Sequence, residues 1–223
     1  MGHDEEIAQL VSLVSHDLRS PLTAILLGSR LLAREPGLHE TGRQVASEME
    51  DAAEELQRRI FDWLDVSRAQ HGGLILQTAT VDLADLARGV QRDADRRTRL
   101  RGQTLSLVAQ PALVRADHRI LPRLILALLD HAMQNSPEGA QIALEVASRD
   151  GGGTVRAVDH GPAFTEVQRQ AVFELFPGNV GGRFVGGIGL GLARIAAQAM
   201  GGKVWAEDAG RNGALVLWLP SAA

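Results

Sequence analysis

The sequence predicts an α+β chain in which an N-terminal antiparallel helical hairpin precedes an α/β sandwich. Apolar or small residues recur three and four apart at Ile7, Val11, Val14, Leu18, Leu22, Ile25, Ser29 and Leu32, the spacing of a helix seam in a bundle. After a Pro36-Gly37 turn signal the spacing returns at Val45, Met49, Ala52, Leu56, Arg59 or Ile60, Trp63 and Val66. Beyond Gly72-Gly73 the pattern changes to short alternating runs separated by helical stretches, as expected of a sheet with helices packed on it.

Taken in order, the first helix runs from about Asp4 to Arg34 and the second from about Thr41 to His71. Pro21 lacks a backbone donor and bends the first helix. One hairpin cannot cover its own apolar stripe, so a second copy completes a dimeric four-helix bundle. The first domain is residues 1–72 and the second residues 73–223. In the second, strands are expected at Leu74 to Ala79, Thr104 to Ala109 and Ala112 to Val114, with a helix from Asp82 to Thr98. A helix after Asp117 reaches Asn135, strands follow at Gln141 to Ala147 and Thr154 to Asp159, and another helix starts near Thr165. A glycine-rich segment, a helix from Leu190 and strands near Val204 and Leu215 close the domain.

Composition narrows the classes of function. The chain has 223 residues, 45% of them hydrophobic, enough for real cores. A net charge of −4 argues against a general nucleic-acid binder. There is no cysteine, hence neither disulfide framework nor thiolate metal site. No apolar run approaches the ~20 residues that span a bilayer, and the N-terminus is acidic where a signal peptide is basic, so the expectation is a soluble, cytoplasmic chain without membrane contact of its own.

Two motifs carry chemistry. In Ser15-His16-Asp17-Leu18-Arg19-Ser20-Pro21-Leu22, His16 lies two residues from both Val14 and Leu18, which at about 100° per residue turns it away from the seam. It is exposed and nucleophilic; alone, such a histidine is ordinary surface. Far along the chain, Gly186-Gly187-Ile188-Gly189-Leu190-Gly191-Leu192-Ala193 runs into an apolar helical pattern. A glycine-rich turn opening a helix offers backbone N–H groups and the positive end of a dipole to phosphate.

Together these motifs resemble the sensor histidine kinase family, a histidine-bearing dimerisation hairpin followed by a Bergerat-type ATP-binding domain, and the resemblance covers nearly the whole chain. It implies ATP and Mg²⁺ as cofactors, a homodimer, and phosphoryl transfer from ATP to His16 and on to an aspartate of a response regulator receiver domain. Asp17 would orient the imidazole or take its proton. Ser20 stands where the family has Thr or Asn to position water. Because the histidine motif begins almost at once, sensing falls to a segment ahead of this core or to a partner.

The resemblance also assigns the nucleotide site, with departures. The family pattern Asn-Leu-Leu-x-Asn-Ala-x-x-Tyr-Ser-Pro matches Ala127 to Pro137, but the Mg²⁺ asparagine is His131, Asn135 replaces the tyrosine, and Gln134 stands where a phosphate-pairing lysine is frequent. An imidazole is a poor ligand for a hard cation. Asp-x-Gly-x-Gly matches Asp159-His160-Gly161-Pro162-Ala163, in which Asp159 would accept from the adenine amino group and Ala163 replaces a glycine. Its methyl is harmless where φ is negative. Phe173 and Phe176 of the phenylalanine motif are expected to share a helix face in the core. Pro177 to Gly186 carries too much glycine for regular structure and suits a lid, with Arg183 contacting the polyphosphate. Gly187, Gly189, Leu190 and Gly191 would cradle phosphates. The alternative is a histidine phosphotransfer or scaffold protein whose ATP domain is degenerate at His131, Gln134 and Ala163.

Overall fold

The computed structural model describes residues 22–70, 73–176 and 178–222 and separates into two compact units on either side of the boundary between Leu74 and Ile75. His16, Asp17, Ser20 and Pro21 lie outside the described residues.

In the first unit, α1 (described over 22–33) and α2 (Glu40–Gln70) are joined by a loop containing Pro36 and Gly37. Glu40 in the first turn of α2 and Arg68 in the last complement the helix dipole. Arg30 of α1 reaches across to two successive turns of α2, its Nε donating to Glu50 at 2.8 Å and its Nη2 to Glu54 at 2.6 Å. Such exposed pairs set orientation more than stability.

Burial revises the expected seam. Leu22, Ser29, Ala46, Ala53, Leu64 and Val66 are buried, whereas Ile25, Leu32, Val45, Met49, Leu56 and Trp63 stay 44–49% exposed. Ala52 is exposed as well. Of the buried residues of α2, Ala46, Ala53, Leu64 and Ser67 lie one position beyond predicted ones, Val66 was itself predicted, and Asp62 fits neither. An amphipathic arc wider than 100° has two flanks, and the small residues of one flank allow the helices to approach while the bulky ones form an outer stripe.

The second unit begins with β1 (Thr78–Asp82), α3 (Leu83–Leu100), β2 (Thr104–Ala109), β3 (Leu113–Asp117) and α4 (Leu121–Gln134). It continues with β4 (Gln141–Arg149), β5 (Gly152–Pro162), α5 (Glu166–Ala171), β6 (Gly178–Val180) and β7 (Arg183–Val185). The unit ends with α6 (Ile188–Ala199), β8 (Lys203–Ala209) and β9 (Asn212–Pro220). The main sheet has five strands in the order β2-β4-β5-β9-β8; β2 and β4 run parallel and the other neighbours antiparallel. A smaller antiparallel pair joins β1 to β3.

Local chemistry explains several boundaries. Asp82 caps α3, its side chain accepting from the N–H of Ala84 at 2.9 Å. Proline in the first turn starts α4 after Ile120, later than Asp117, because Asp117 finishes a strand. Thr165 and Gln168 form a reciprocal capping box on α5. That helix ends at Ala171, so Phe173 and Phe176 do not share a helix face: Phe173 is buried and Phe176 is 87% exposed.

Helices α3, α4 and α6 pack together on the main sheet. Ile142, Leu144 and Val146 alternate inward along β4, and Leu215, Leu217 and Leu219 do so along β9. Against them lie Leu83, Ala87 and Val90 of α3, and Leu121, Leu124, Ile125 and Leu128 of α4. On the strands, Arg156 of β5 bridges Glu145 of β4 and Glu207 of β8, each at 2.8 Å.

Asp117 fastens the end of the small pair to the turn that leads into α4. It is 1% exposed, accepts from the backbone N–H of Gln77 at 2.7 Å and of Arg119 at 2.9 Å, and pairs with the Arg119 guanidinium at 2.7 Å. The Arg119 hydrogen bond, opposed by burial and aided by the two amides, holds its carboxyl well below the usual carboxylate range. A depressed carboxylate contributes stability above its unfolded value, near pH 4, that disappears as pH falls toward its folded value. Urea unfolding of the second unit should therefore weaken progressively below about pH 4. Asp117→Ala should shallow that slope and lower stability at pH 7 by about 1–3 kcal/mol. An unchanged pH profile in the variant would show that Asp117 is not the fastening.

Candidate functional site

The site gathers where the C-terminal end of β5, the end of α4, the short helix α5 and a β-hairpin meet. Asp159 lies near the end of β5, a strand paired on both sides, and is 1% exposed. Its Oδ1 accepts from the N–H of Gly161 at 2.8 Å, closing a tight turn over the carboxylate. Ala163 is not among the residues with positive φ, so its methyl fits the backbone that the family fills with glycine.

The glycine-rich segment departs from expectation. Residues 178–185 form a regular hairpin, β6 against β7, with Asn179 opposite Phe184 and Val180 opposite Arg183. Its turn is Gly181-Gly182, with φ of 58° and 82°, left-handed values that match the twist of a two-residue hairpin. Asn179 supports the turn by accepting from the N–H of Gly182 at 3.0 Å. Glycine here builds the turn and leaves the strands intact.

Arg183 consequently points inward. It is 1% exposed, where an arginine reaching for polyphosphate from a lid would stand in solvent. One terminal nitrogen donates to the carboxylate Oδ2 of Asp159, the other donates to the carbonyl of Pro162 at 2.6 Å, and Cζ lies 3.7 Å from the centroid of the Phe164 ring. A methyl added at Gly161 or Gly213 would run into the guanidinium, so both positions are bare where the cation passes. Burial pushes the Asp159 carboxyl up and the Arg183 guanidinium down, and the charge of each partner opposes the shift of the other. Arginine does not deprotonate in proteins, so the two remain an ion pair whose separation would strand a buried charge.

Side chains on either flank latch the hairpin shut. Asn135, just past α4, donates to the carbonyl of Phe184 and accepts from its N–H, both at 3.2 Å. Gln168 of α5 donates to the carbonyl of Val180 at 2.7 Å. A polar groove of about 370 Å³ runs between the end of α4 and the hairpin, with Asn135, Asn179 and Arg183 on its wall.

His131 is 2% exposed, stacked on Phe164 with the rings 5.9 Å apart and 12° from parallel. Burial, and secondarily the charge of Arg183, lower its pKa to about 3, so the ring is neutral at physiological pH. Mg²⁺ requires oxygen ligands. A neutral imidazole against a phenyl ring, beside a cation, does not fit it. Nor do the described residues contain any group of three or more His, Cys, Asp or Glu side chains suited to a metal ion.

The remaining expected site residues lie at the start of α6. Gly187, with φ of 124°, is its N-cap; the N–H of Gly187 donates to the carbonyl of Glu174 at 2.8 Å and that of Gly191 to the carbonyl of Gly187 at 2.9 Å. Ile188, Gly189 and Leu190 form the first turn, whose N–H groups have no partner within a helix. Sequence reasoning missed Phe164, Gly213 and Gln168. Phe164 directly follows the Asp159 motif, the one signal that could have drawn attention to it.

Comparison with known proteins agrees with this layout. Residues 6–72 match the His Kinase A (phospho-acceptor) domain, and residues 116–223 match the histidine kinase-, DNA gyrase B- and HSP90-like ATPase family. Over 204 residues the chain is 31% identical to the sensor protein DivL of Caulobacter vibrioides, covering 90% of this chain and 26% of DivL. Over 214 residues it is 31% identical to the signal transduction histidine-protein kinase/phosphatase MprB of a Mycobacterium species (strain KMS), covering 92% of this chain and 41% of that protein. The chain therefore spans less than half the length of these relatives. The structure of full-length ShkA in complex with AMPPNP superposes with a TM-score of 0.68 at 24% identity, over 96% of this chain and 46% of that one, a likeness of fold. Among the described residues, no helix is long and apolar enough to cross a membrane.

The environment of His131 has a measurable consequence. A histidine whose folded pKa lies below its unfolded value, about 6.5, binds its proton preferentially in the unfolded chain, so stability declines as pH falls from about 6.5 toward 3. In ring-selective NMR, His131 should stay neutral from pH 8 to pH 5. Titration of its ring near pH 6 would contradict the burial described.

Proposed function

Because the chain belongs to the sensor histidine kinase family and carries the phospho-acceptor and ATPase regions in the family's order, we propose that it is the core of a two-component histidine kinase. Residues 1–72 dimerise and carry the phospho-acceptor His16; residues 73–223 bind ATP. A neutral imidazole nitrogen of His16 attacks the terminal phosphorus, the N–P bond forms as the bond to the ADP oxygen breaks, and the ring proton leaves to Asp17 or solvent. The phosphoryl group then passes to an aspartate of a response regulator receiver domain. Ser20, four residues on from His16, positions water for its removal.

The observation that carries this reading is the buried Asp159 at the end of β5, the one family carboxylate for adenine. Gly189 and Leu190 in the first turn of α6 offer the phosphates backbone N–H groups and a helix dipole, while Gly187 and Gly191 shape the turn around them. Asn135 bounds the groove between the end of α4 and the hairpin. His131 is not proposed as a Mg²⁺ ligand; any Mg²⁺ is held by the nucleotide's phosphates and water. The outer stripe Val45, Met49, Leu56 and Trp63 supports a homodimer, since apolar bulk at this spacing is covered when a second hairpin packs on it. The working compartment is the cytoplasm, where ATP is available.

Incubation with labelled ATP and Mg²⁺ should place acid-labile phosphate on the chain, and His16→Gln should abolish it. Phosphate that survives His16→Gln, or its complete absence with wild type under conditions where nucleotide binds, would overturn the reading. Leu56→Glu buries a charge in the proposed dimer interface and should convert a sedimenting dimer to monomer at micromolar concentration. A wild-type monomer at that concentration would sink the dimer.

A further inference from the structure

We infer that Arg183 is an internal occupant of the base subsite: with the β6–β7 hairpin closed, its guanidinium holds Asp159 in place of an adenine amino group, and nucleotide is admitted only when the hairpin withdraws. The inference rests on the nucleotide reading of the site and concerns how that site is regulated.

The first observation is which groups line the groove. Arg183 lines it and Asp159 does not. A ligand arriving from solvent meets the arginine first, and the carboxylate behind it already has a charged donor. The second is chemical likeness. A guanidinium is flat, presents N–H donors at its edge and packs face-on against an aromatic ring. Against Asp159 and Phe164, Arg183 makes the contacts that a purine with an exocyclic amine would make. The third is the shape of the walls. Gly161 and Gly213 flank the guanidinium, and a side chain on either would displace it.

The fourth observation is the means of holding and release. Arg183 sits on β7, a three-residue strand whose Val185 is buried, and the ribbon is bonded to its flanks at two places: Asn135 to Phe184, and Gln168 to the paired residue Val180. Phe184, adjacent to Arg183, is 38% exposed. The guanidinium Nε is buried without a hydrogen-bond partner. Withdrawal would return a desolvated cation to water while the incoming base replaces it as donor to Asp159. The exchange trades one partner for another instead of leaving a carboxylate alone, so it is suited to a switch. The apparent affinity for nucleotide is then the intrinsic affinity reduced by the fraction of open chains.

Calorimetry of the full chain with ATP and Mg²⁺, and separately with adenosine, tests this. Arg183→Ala should tighten both by roughly tenfold or more, as the closed state loses its hold. It should also lower the melting temperature of the free protein and enlarge the rise produced by ATP. Should Arg183→Ala fail to fold, Gln168→Ala, which leaves the ion pair intact and frees one end of the hairpin, should still tighten ATP by several-fold. Wild type that binds as tightly as both variants overturns the inference, as does failure of every folded variant to gain affinity. Labelling of His16 is read in parallel. Tighter binding without labelling supports the occupant while counting against the kinase reading, and tight, rapid labelling by wild type does the reverse.

Discussion

A carboxylate and a guanidinium, each almost wholly removed from water, lie against one another beneath the hairpin, and the surrounding geometry serves their separation from solvent. Such a pair is an expensive thing to bury, because desolvation of both ions rivals their attraction. What it returns is placement. Arg183 can satisfy Asp159 and the carbonyl of Pro162 together only if β7 lies in one register, and that register puts Phe184 beside Asn135 and Val180 beside Gln168. Phe164 then serves two neighbours, the guanidinium and the imidazole of His131. The neutral state of that imidazole follows from the same desolvation and from the nearby cation.

The sheet makes this arrangement rigid where it must be. Asp159 directly follows Val158, the last residue of β5 paired with β4, and lies in the irregular stretch before Pro162, where the N–H of Gly161 holds its carboxylate. Ser136, past the end of α4, accepts from the N–H of His160 at 2.9 Å and donates to the carbonyl of Ala132 at 2.7 Å, tying the helix to the same strand. The hairpin, by contrast, is a two-stranded ribbon separate from the main sheet. With the carboxylate on the main sheet and the arginine on a separate ribbon, relative motion falls to the ribbon.

Much of the fold was legible because it depends on period. The β2 strand falls on the predicted residues, and α3, α4, β4 and β5 fall close to theirs, since alternation and helical spacing report burial directly. In the hairpin Leu22, Ser29 and Val66 are buried as read, whereas along α2 Ala46, Ala53 and Leu64 are buried one position beyond Val45, Ala52 and Trp63, because small residues carry little hydrophobic signal. The site was less legible. Glycine content suggested an irregular lid, yet two of the glycines are the turn of a ribbon. A lone arginine in that segment looked like a cation for phosphate; its partner is 24 residues away in sequence, and no local pattern reports a pairing of that range. The departure at His131 was visible at once, but its stacking on Phe164 and its neutrality required the third dimension.

The place of β9 in the sheet has a bearing on biosynthesis. It lies between β5 and β8 and supplies buried side chains on both faces, although it is the most C-terminal strand described. During translation β4 and β5 emerge early with one flank of β5 unpaired, and the layer under α4 and α6 stays open until β9 leaves the ribosome. Vectorial folding of this unit is thus suspended at a half-built sheet, in which an exposed strand edge and bare leucines await their cover. A chain cut short before β9 loses the middle of its sheet rather than its margin.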